Sequence, residues 1–365
     1  MNVFLVAGAR PNFMKIAPIY RASKSDPNID CRIVHTGQHY DYEMSQAFFD
    51  DLEIPKPQHF LDAGSGSHAV QTAKIMVAFE KICLDEKPDL VMVVGDVNST
   101  LACGIVAKKL LIEVAHVEAG LRSFDLAMPE EINRMVTDAI TDYFFVTEES
   151  GRLNLLREGK PEERIHFVGH VMIDNLLYQV KKLEKEEVKT FSVCEIKPPK
   201  KTYAFMTLHR PSNVDNRHTL AEIVDALNEI AKETTILFPV HPRTKKMMAR
   251  FKVKFADNVR LLPPLGFKES LFLWQDAKVV FTDSGGLQEE TTALGIPCVT
   301  IRENTERPIT VELGTNVLAG TTRAGILEAY PQSLDKVKNA AIPPLWDGKA
   351  SARIWEALSQ RKLAE

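Results

Sequence analysis

The sequence contains few cysteines, and they form neither a disulfide nor a metal-binding pattern. The five are odd in number, far apart and never arranged as C-x-x-C, which excludes a disulfide framework and a zinc knuckle. We therefore expect buried, reduced thiols. The five residues are Cys31, Cys83, Cys103, Cys194 and Cys298.

The chain also lacks a long hydrophobic run and an excess of positive charge. No stretch of about 18 apolar residues occurs, and the first residues lack the basic start and apolar core of a secretory signal. Lysine and arginine number 45 against 49 aspartates and glutamates, so no general attraction to nucleic acid or to an anionic membrane is expected. These absences predict a cytoplasmic protein in which any phosphate is bound by a local site.

The chain contains enough hydrophobic residues to form two domain cores. The chain has 365 residues, 45% of them hydrophobic, whereas a single compact domain usually ends near about 250 to 300 residues. Short apolar runs recur, each followed by a helical pattern, as is typical of strands buried on both faces of a parallel sheet. The runs are 3–7, 32–36, 90–94, 114–117, 143–147 and 165–168, then 204–208, 236–240, 259–262, 279–282, 298–301 and 317–319. They predict two doubly wound α/β domains.

The domain boundaries follow from breaks in this pattern. We expect an N-terminal domain over 1–180, a linker over 181–201 that closes with the sequence K-P-P-K-K, and a second domain over 202–345. A last helix, within 346–365, follows two consecutive prolines and is expected to return to the N-terminal domain.

Two strand-to-helix turns are candidate phosphate sites. The first strand ends in a turn that brings Arg10 and Lys15 to the start of a helix, where a fork of donors suits a diphosphate. The alternative is that both are solvated side chains. The second turn contains Ser284, Gly285 and Gly286, which allow a phosphate to approach the backbone closely.

Glu290, on the first turns of the same helix, is a candidate acceptor for two ribose hydroxyls. The alternative here is a capped helix, with Asp283 or Ser284 as the cap and Glu289 as its supporting charge.

Four candidate acid/base groups follow strands: Asp96, Glu118, Glu130 and His209. A carboxylate at a strand end is a candidate base, because burial and like-charged neighbours raise its pKa toward neutrality. The structural alternatives are a helix cap for Asp96, and for Glu118 and Glu130 a buried pair with Arg122 or Arg134. His116 and Glu118 complete no metal-ligand spacing, so no metal site is expected.

Six ordered motifs then carry a resemblance to a known family. They are G-A-R-P-N-F-M-K-I-A-P at 8–18, G-D-V-N-S-T at 95–100, H-V-E-A-G-L-R-S at 116–123, P-E-E-I-N-R at 129–134, D-S-G-G-L-Q-E-E at 283–290 and T-E-R-P at 305–308. In order and spacing they resemble the non-hydrolysing UDP-N-acetylglucosamine 2-epimerases, from residue 3 to about residue 358. The resemblance implies two Rossmann-like domains in a GT-B arrangement, with the nucleotide in the cleft between them, and a homodimer.

The family's site residues are carried over by motif. The resemblance implies that Arg10, Ser284, Gly285 and Gly286 hold the diphosphate, that Glu290 binds the ribose, and that Lys15, Arg134 and Arg307 are further cations of the cleft. It places Asp96, Glu118, Glu130 and His209 at catalytic positions. The implied reaction on the UDP-sugar eliminates UDP across C1 and C2 and re-adds it after a proton returns to the opposite face of C2. It requires neither NAD nor a metal.

The sequence departs from the family pattern at three places. The loop before Pro129 is short, and Ser270 stands where an aromatic residue often packs on uracil, so 265–267 is the expected uracil wall. Gln38, Arg210 and His241 retain part of a second, regulatory substrate site, but Tyr40 and Asp41 replace its usual polar residues.

Three rival functions share part of this pattern. A GT-B glycosyltransferase would have the same glycine turn and ribose glutamate but no exchange at C2. A hydrolysing epimerase would release free sugar, and typically begins G-S-R-A-E. A non-catalytic sugar-nucleotide sensor is disfavoured because all four acid/base groups are present. The substituents at C3 and C6 of the sugar stay open.

Overall fold

The computed structural model describes residues 1–37, 49–50, 52–185 and 191–361, without the side chains of Arg10 and Arg361. The chain divides into two compact units. The first unit comprises Met1–Tyr178 and Pro344–Glu365, and the second comprises Gln179–Pro343. Each contains one parallel sheet with helices as its connections. The predicted fold class, two doubly wound α/β domains, is therefore confirmed.

The first sheet has seven parallel strands in the order β3-β2-β1-β4-β5-β6-β7. Every residue of β4 is buried, because a central strand of a parallel sheet is covered on both faces. The order reverses between β1 and β4, and the carboxyl ends of strands at such a point are the usual ligand site. The strands are β1 (Asn2–Ala7), β2 (Asp30–His35), β3 (His59–Phe60), β4 (Leu90–Val94), β5 (Glu113–Val117), β6 (Tyr143–Val146) and β7 (Ile165–Phe167).

The described helices of the first unit connect these strands and close its core. The last of them, α14, returns to α1, where the Trp355 indole N–H donates to the Ile19 carbonyl at 2.9 Å. Asp174 accepts the first backbone N–H groups of α14, from Ala350 at 3.0 Å and from Ser351 at 2.7 Å. The helices are α1 (Arg10–Ser23), α2 (His68–Glu86), α3 (Asn98–Lys109), α4 (Pro129–Ile140), α5 (Glu149–Arg157), a 3₁₀ turn (Glu162–Arg164), α6 (Val171–Leu183, which ends beyond the unit boundary) and α14 (Ala350–Arg361).

The second sheet repeats this topology with six parallel strands in the order β10-β9-β8-β11-β12-β13. Its switch point lies between β8 and β11. The strands are β8 (Tyr203–Thr207), β9 (Thr235–Pro239), β10 (Val259–Leu262), β11 (Val279–Thr282), β12 (Cys298–Thr300) and β13 (Asn316–Leu318). The helices are α7 (Pro211–Val214), α8 (Arg217–Ile230), α9 (Pro242–Phe251), α10 (Phe267–Trp274), α11 (Gly285–Ala293), α12 (Pro308–Glu312) and α13 (Arg323–Lys336).

The strands predicted from the apolar runs are confirmed. Every predicted apolar run coincides with a strand to within two residues. The two-residue strand β3 was not predicted, because so short a segment shows no periodicity. All five thiols are free, four of them are buried and Cys194 is half-buried. Within the described chain, no helix is long and apolar enough to span a membrane.

The predicted linker is partly described. Residues 191–201 lie against α10, where the Lys197 ammonium lies 2.5 Å from Asp276 and Ser192 donates to Glu269.

Candidate functional site

In the first unit, two carboxylates follow adjacent strands of the sheet. Glu118 comes directly after β5, and its Oε2 lies 2.5 Å from the Lys15 ammonium, with only 4% of the Glu118 side chain exposed. Gly95, after β4, permits this approach, because a Cβ on it would lie 2.9 Å from the ammonium nitrogen. The pair therefore fixes the Glu118 side chain at the carboxyl edge of the sheet. Arg10 begins α1, and its side chain lies outside the described part of the chain.

Asp96 is the more accessible of the two carboxylates. Its side chain is 34% exposed and accepts from Arg134 at 2.5 Å. The same guanidinium lies 2.7 Å from Glu131, which is buried and also accepts the backbone N–H groups of Ser123 and Phe124. Burial alone would raise the pKa of Glu131, but these donors together lower it. Glu131 is therefore a fixed anion that holds Arg134 toward Asp96.

Glu130 lies elsewhere. It is exposed in the first turn of α4, whereas Glu131 faces the sheet. The sequence selected Glu130 of the two adjacent glutamates, but the structure places Glu131 in the Asp96–Arg134 cluster. The reason is helical phase, since neighbouring residues on a helix point about 100° apart.

The structural alternatives named for Asp96 and Glu118 differ from the contacts that these acids make. The N-cap of α3 is Val97, which has no side-chain cap, and Asp96 pairs with Arg134 instead. Glu118 pairs with Lys15, while Arg122 pairs with Asp138 and Glu158.

In the second unit, the glycine turn after β11 begins helix α11, as predicted. Ser284 occupies the N-cap position, but its hydroxyl makes no capping hydrogen bond. A Cβ on Gly285 would meet nothing within 4 Å. The helix N-terminus therefore offers its N–H groups without an obstructing side chain, which is the arrangement that binds phosphate.

His209, after β8, is held by a buried aspartate at the neighbouring strand end. Its Nδ1 lies 2.9 Å from Oδ1 of Asp283, and its backbone N–H donates to Oδ2 at 2.9 Å. Asp283 is fully buried, which would raise its pKa, but the charge and hydrogen bonds of His209 and the N–H of Arg210 lower it. The aspartate thus orients the imidazole and is not the helix cap considered above.

Glu290 is buried near the carboxylate of Glu289. Burial and that neighbouring charge raise the pKa of Glu290 to about 8. Glu289 lies 2.6 Å from Nε of Arg307, at the start of α12. A carboxyl group protonated near neutral pH can both donate and accept, which suits a pair of hydroxyl groups.

Arg307 lies on a loop that is held at several points. Its backbone N–H donates to the Thr305 hydroxyl, which itself donates to Gln288 of α11 at 2.6 Å. Glu306 forms two parallel hydrogen bonds with Arg302, at 2.8 and 2.9 Å, and these lower its pKa to about 2. The Arg307–Glu289 and Arg302–Glu306 ion pairs, together with the Thr305 hydroxyl, therefore fix the position of Arg307.

The predicted regulatory residues are only partly described. Gln38, Tyr40 and Asp41 lie outside the described residues. Arg210 is the N-cap of α7, and His241 caps α9 with its ring 5.8 Å from that of His209. Burial and the neighbouring His209 lower the pKa of His241.

The predicted uracil wall, 265–267, lies at the start of α10, where the N–H of Ser270 donates to the Gly266 carbonyl. As for metals, the described residues contain no group of three or more histidine, cysteine, aspartate or glutamate side chains that could hold an ion.

Sequence reasoning missed three polar residues that support the predicted ones: Glu131, Asp138 and Asp283 in its orienting role. A signal existed for the first two. Glu131, Arg134 and Asp138 have the spacing i, i+3, i+7, which places them on one face of α4.

Comparison with known proteins gives a consistent result over the whole chain. The sequence profile of the UDP-N-acetylglucosamine 2-epimerase family matches residues 21–359. The UDP-N-acetylglucosamine 2-epimerase of Methanocaldococcus jannaschii is 44% identical, covering 99% of this chain and 100% of its own. UDP-2,3-diacetamido-2,3-dideoxy-D-glucuronate 2-epimerase of Pseudomonas aeruginosa is 39% identical, covering 99% of this chain and 100% of its own.

Solved structures agree with these sequences. The crystal structure of the M. jannaschii enzyme in complex with UDP-GlcNAc and UDP matches with a TM-score of 0.86 and 44% identity, covering 99% of this chain and 100% of that one. The match assigns the GT-B fold to this chain.

Proposed function

Because the chain belongs to the UDP-N-acetylglucosamine 2-epimerase family, we propose that it inverts C2 of UDP-N-acetylglucosamine or of a closely related UDP-2-acetamido sugar, giving the manno epimer. One observation carries the proposal beyond family membership. Two carboxylates, Asp96 and Glu118, end adjacent strands, and each is held by a cation. Inversion at a carbon needs a base on one face and an acid on the other, so two fixed carboxyl groups are what the reaction requires.

The proposed reaction has two half-steps. A base takes the C2 proton, the electron pair of the C–H bond forms a C1=C2 double bond, and the C1–O bond breaks, so that UDP leaves with the electron pair of that C1–O bond. In the return step a proton is delivered to the opposite face of C2, and the UDP oxygen re-forms the bond to C1. The carboxylates of the first unit supply the acid and the base in this proposal.

We assign binding of the leaving group to the second unit. The unobstructed N-terminus of α11, with Ser284, Gly285 and Gly286, accepts the diphosphate, and Arg307 offsets the charge that develops on it. Glu290 binds the ribose, and His209, oriented by Asp283, is the catalytic residue that we assign to this unit. The family motif likewise assigns Arg10 and Lys15 of the first unit to the substrate.

The sugar substituents are not determined by these contacts. The two relatives named above act on an N-acetylglucosamine and on a diacetamido glucuronate, which share UDP and the 2-acetamido group. We propose that the product is an activated sugar for polysaccharide biosynthesis, because a nucleotide left attached keeps C1 ready for transfer.

We also propose that the chain forms a homodimer through an apolar face of the first unit. Helix α4 buries the polar residues Glu131, Asn133 and Asp138. It exposes the apolar residues Ile132, Met135 and Val136. A helix on the surface of a monomer has the opposite arrangement, with apolar residues inside and polar residues outside. Beside it lies a groove of about 490 Å³ lined by residues of α2, α3 and α4. On α2, a stripe of exposed apolar residues at seven-residue spacing continues this face: Val70, Val77 and Leu84. An apolar face of this kind is typical of an interface with a second copy.

The experiment that tests the function is deuterium incorporation. UDP-N-acetylglucosamine incubated with the protein in D2O is expected to acquire deuterium at C2 while UDP-N-acetylmannosamine accumulates with its nucleotide attached. A glycosyltransferase would leave C2 unlabelled, a hydrolysing epimerase would release free sugar, and a sensor would do neither. Asp96→Asn and Glu118→Gln keep the side-chain shape, and each should reduce turnover on the order of 100-fold or more.

A further inference from the structure

A histidine and an aspartate, both fully buried, lie behind the carboxylates of the first unit. His116 is on β5, two residues before Glu118, and Asp138 is in the last turns of α4. Both are 0% exposed, and Nδ1 of His116 lies 2.7 Å from Oδ1 of Asp138.

The pair contacts the chain segments that carry Asp96 and Glu118. Nε2 of His116 donates to the Gly95 carbonyl at 2.8 Å, and Gly95 directly precedes Asp96. The second carboxylate oxygen of Asp138 accepts the Gly120 N–H at 3.0 Å, two residues after Glu118. Asp138 itself lies on α4, the helix that also carries Glu131 and Arg134.

The chain segments that the pair contacts contain residues with unfavourable backbone dihedral angles. Glu118 has φ of +69°, in the left-handed region that a non-glycine residue adopts only at a cost in free energy. Gly120 has φ of +76°, and a Cβ on it would lie 2.3 Å from the Gly151 carbonyl oxygen. Such conformations persist only where surrounding contacts fix them, and the hydrogen bond from Gly120 to Asp138 is one of these contacts.

Further contacts fix the orientation of the pair. A carbonyl oxygen can only accept, so Nε2 of His116 carries a hydrogen. Burial alone would raise the pKa of Asp138, but the charges and hydrogen bonds of His116 and Arg122 lower it, and Arg122 lies 2.8 Å away. The pair is thus held at the Gly95 carbonyl on one side and at Arg122 on the other.

We propose that His116 and Asp138 are positioning residues that fix the segments of Asp96 and Glu118 against helix α4, so that both carboxyl groups stay aligned for proton transfer at C2. The inference rests on the proposed function, because it assigns the pair a role in that reaction. It predicts an effect on turnover that exceeds any effect on substrate binding.

The test compares four variants by C2 deuterium exchange, by kcat and KM, and by UDP titration. His116→Phe fills the volume without either hydrogen bond, and it should lower kcat on the order of 100-fold, since small misplacements of reacting groups have effects of that size. KM and UDP affinity should stay within about threefold of wild type, because the groups assigned to UDP lie mainly in the second unit. His116→Gln can still donate to the Gly95 carbonyl and should recover at least about tenfold of the lost turnover.

Asp138→Asn is included in case His116→Phe does not fold. It keeps the side-chain shape, and its amide oxygen can still accept the Gly120 N–H. It should lower kcat with little effect on far-UV circular dichroism. His166→Phe is the matched control, since His166 lies half-buried on β7 of the same sheet and packs against Phe145. It should keep kcat within about twofold of wild type.

Four results would overturn the proposal. The first is a kcat within threefold of wild type in both His116→Phe and Asp138→Asn, and the second is an equal loss of kcat in His166→Phe. The third is a change in KM with kcat unchanged, and the fourth is a kcat of His116→Gln no higher than that of His116→Phe. Absence of C2 exchange in the wild-type protein would overturn the proposed function itself, and so is distinguishable from all four.

Discussion

Arg134 donates to Asp96 and to Glu131, and the two contacts have different consequences because the two carboxylates differ in exposure. Asp96 is open enough to meet a substrate, whereas Glu131 is 1% exposed at its side chain and satisfied by three donors. The exposed acid is therefore the candidate for proton transfer, and the buried one fixes the cation beside it.

We predict that Glu131→Gln lowers kcat by about 10- to 100-fold, because it removes the charge that holds Arg134 and two backbone N–H groups. Glu163→Gln, at an exposed glutamate of the first unit, is the control and should change kcat by no more than about twofold. Steady-state kinetics on both variants checks this. A loss in Glu131→Gln no larger than that of the control would contradict this role for Glu131.

A second residue-scale prediction concerns Glu290 and pH. Its pKa of about 8 in the folded protein lies above the ordinary value of 4.5. Between those values the folded chain holds a proton that the unfolded chain has released, so stability contributed by this group falls as pH rises. The slope is at most about 1.4 kcal/mol per pH unit.

Glu290→Gln cannot titrate and should lack this slope. Urea unfolding of the UDP-free protein at about pH 5.5 and about pH 8 should therefore show wild type losing stability relative to Glu290→Gln as the pH is raised. Glu312→Gln, an exposed glutamate of the same unit, should follow wild type. Parallel curves for all three proteins would mean that Glu290 titrates normally.

At the scale of elements, the N-terminus of α11 is the most specific feature of the second unit. A methyl group at Gly285 would meet nothing within 4 Å in the structure, and its φ is not in the left-handed region. The substitution therefore introduces no strain, but it places a carbon where a phosphate oxygen would approach the N–H groups.

We predict that Gly285→Ala weakens UDP binding by about tenfold or more while leaving the thermal midpoint of the UDP-free protein unchanged or slightly raised. Gly104→Ala, in α3 of the first unit, is the control, because its Cβ would meet only ordinary contacts at 3.8 and 4.0 Å. Isothermal titration with UDP measures both. Equal affinities would show that the phosphate does not bind at this helix end.

For the whole molecule, the reversed polarity of α4 decides the expected state of assembly. Its apolar residues face outward because its inner face is occupied by the charged residues that hold the acid/base segments. The same helix thus gives the first unit its polar core and an exposed apolar face.

We predict that the protein sediments as a dimer of the 41.0 kDa chain, and that Ile132→Glu converts it to a monomer at micromolar concentration. Ile132 is 43% exposed beside the groove, while Leu153, on α5, is 41% exposed and lies outside it. Leu153→Glu should therefore remain a dimer in analytical ultracentrifugation. A wild-type monomer at all concentrations would contradict the proposed interface.

The sequence by itself determined the strands of both sheets and the turns that carry chemistry. Continuous apolar runs such as 90–94 are typical of central strands of parallel sheets, and the glycines after 282 favour a helix start that admits a ligand. These are local properties, set by side-chain size, hydrophobicity and backbone freedom, and so they are visible in a single sequence. The six ordered motifs added the family and, with it, the reaction.

Tertiary structure alone decided which charges meet. Glu118 was expected to pair with an arginine nearby in sequence, but its partner is Lys15, 103 residues away. Glu131 rather than Glu130 joins Asp96, and Asp138 and Asp283 hold the two histidines, His116 and His209. Ion pairs form between groups that folding brings within a few ångströms of each other. The separation of two residues along the chain says little about whether folding will bring them that close. The strand ends could be predicted because they are local, whereas the partners gathered there depend on how the strands are ordered in the sheet.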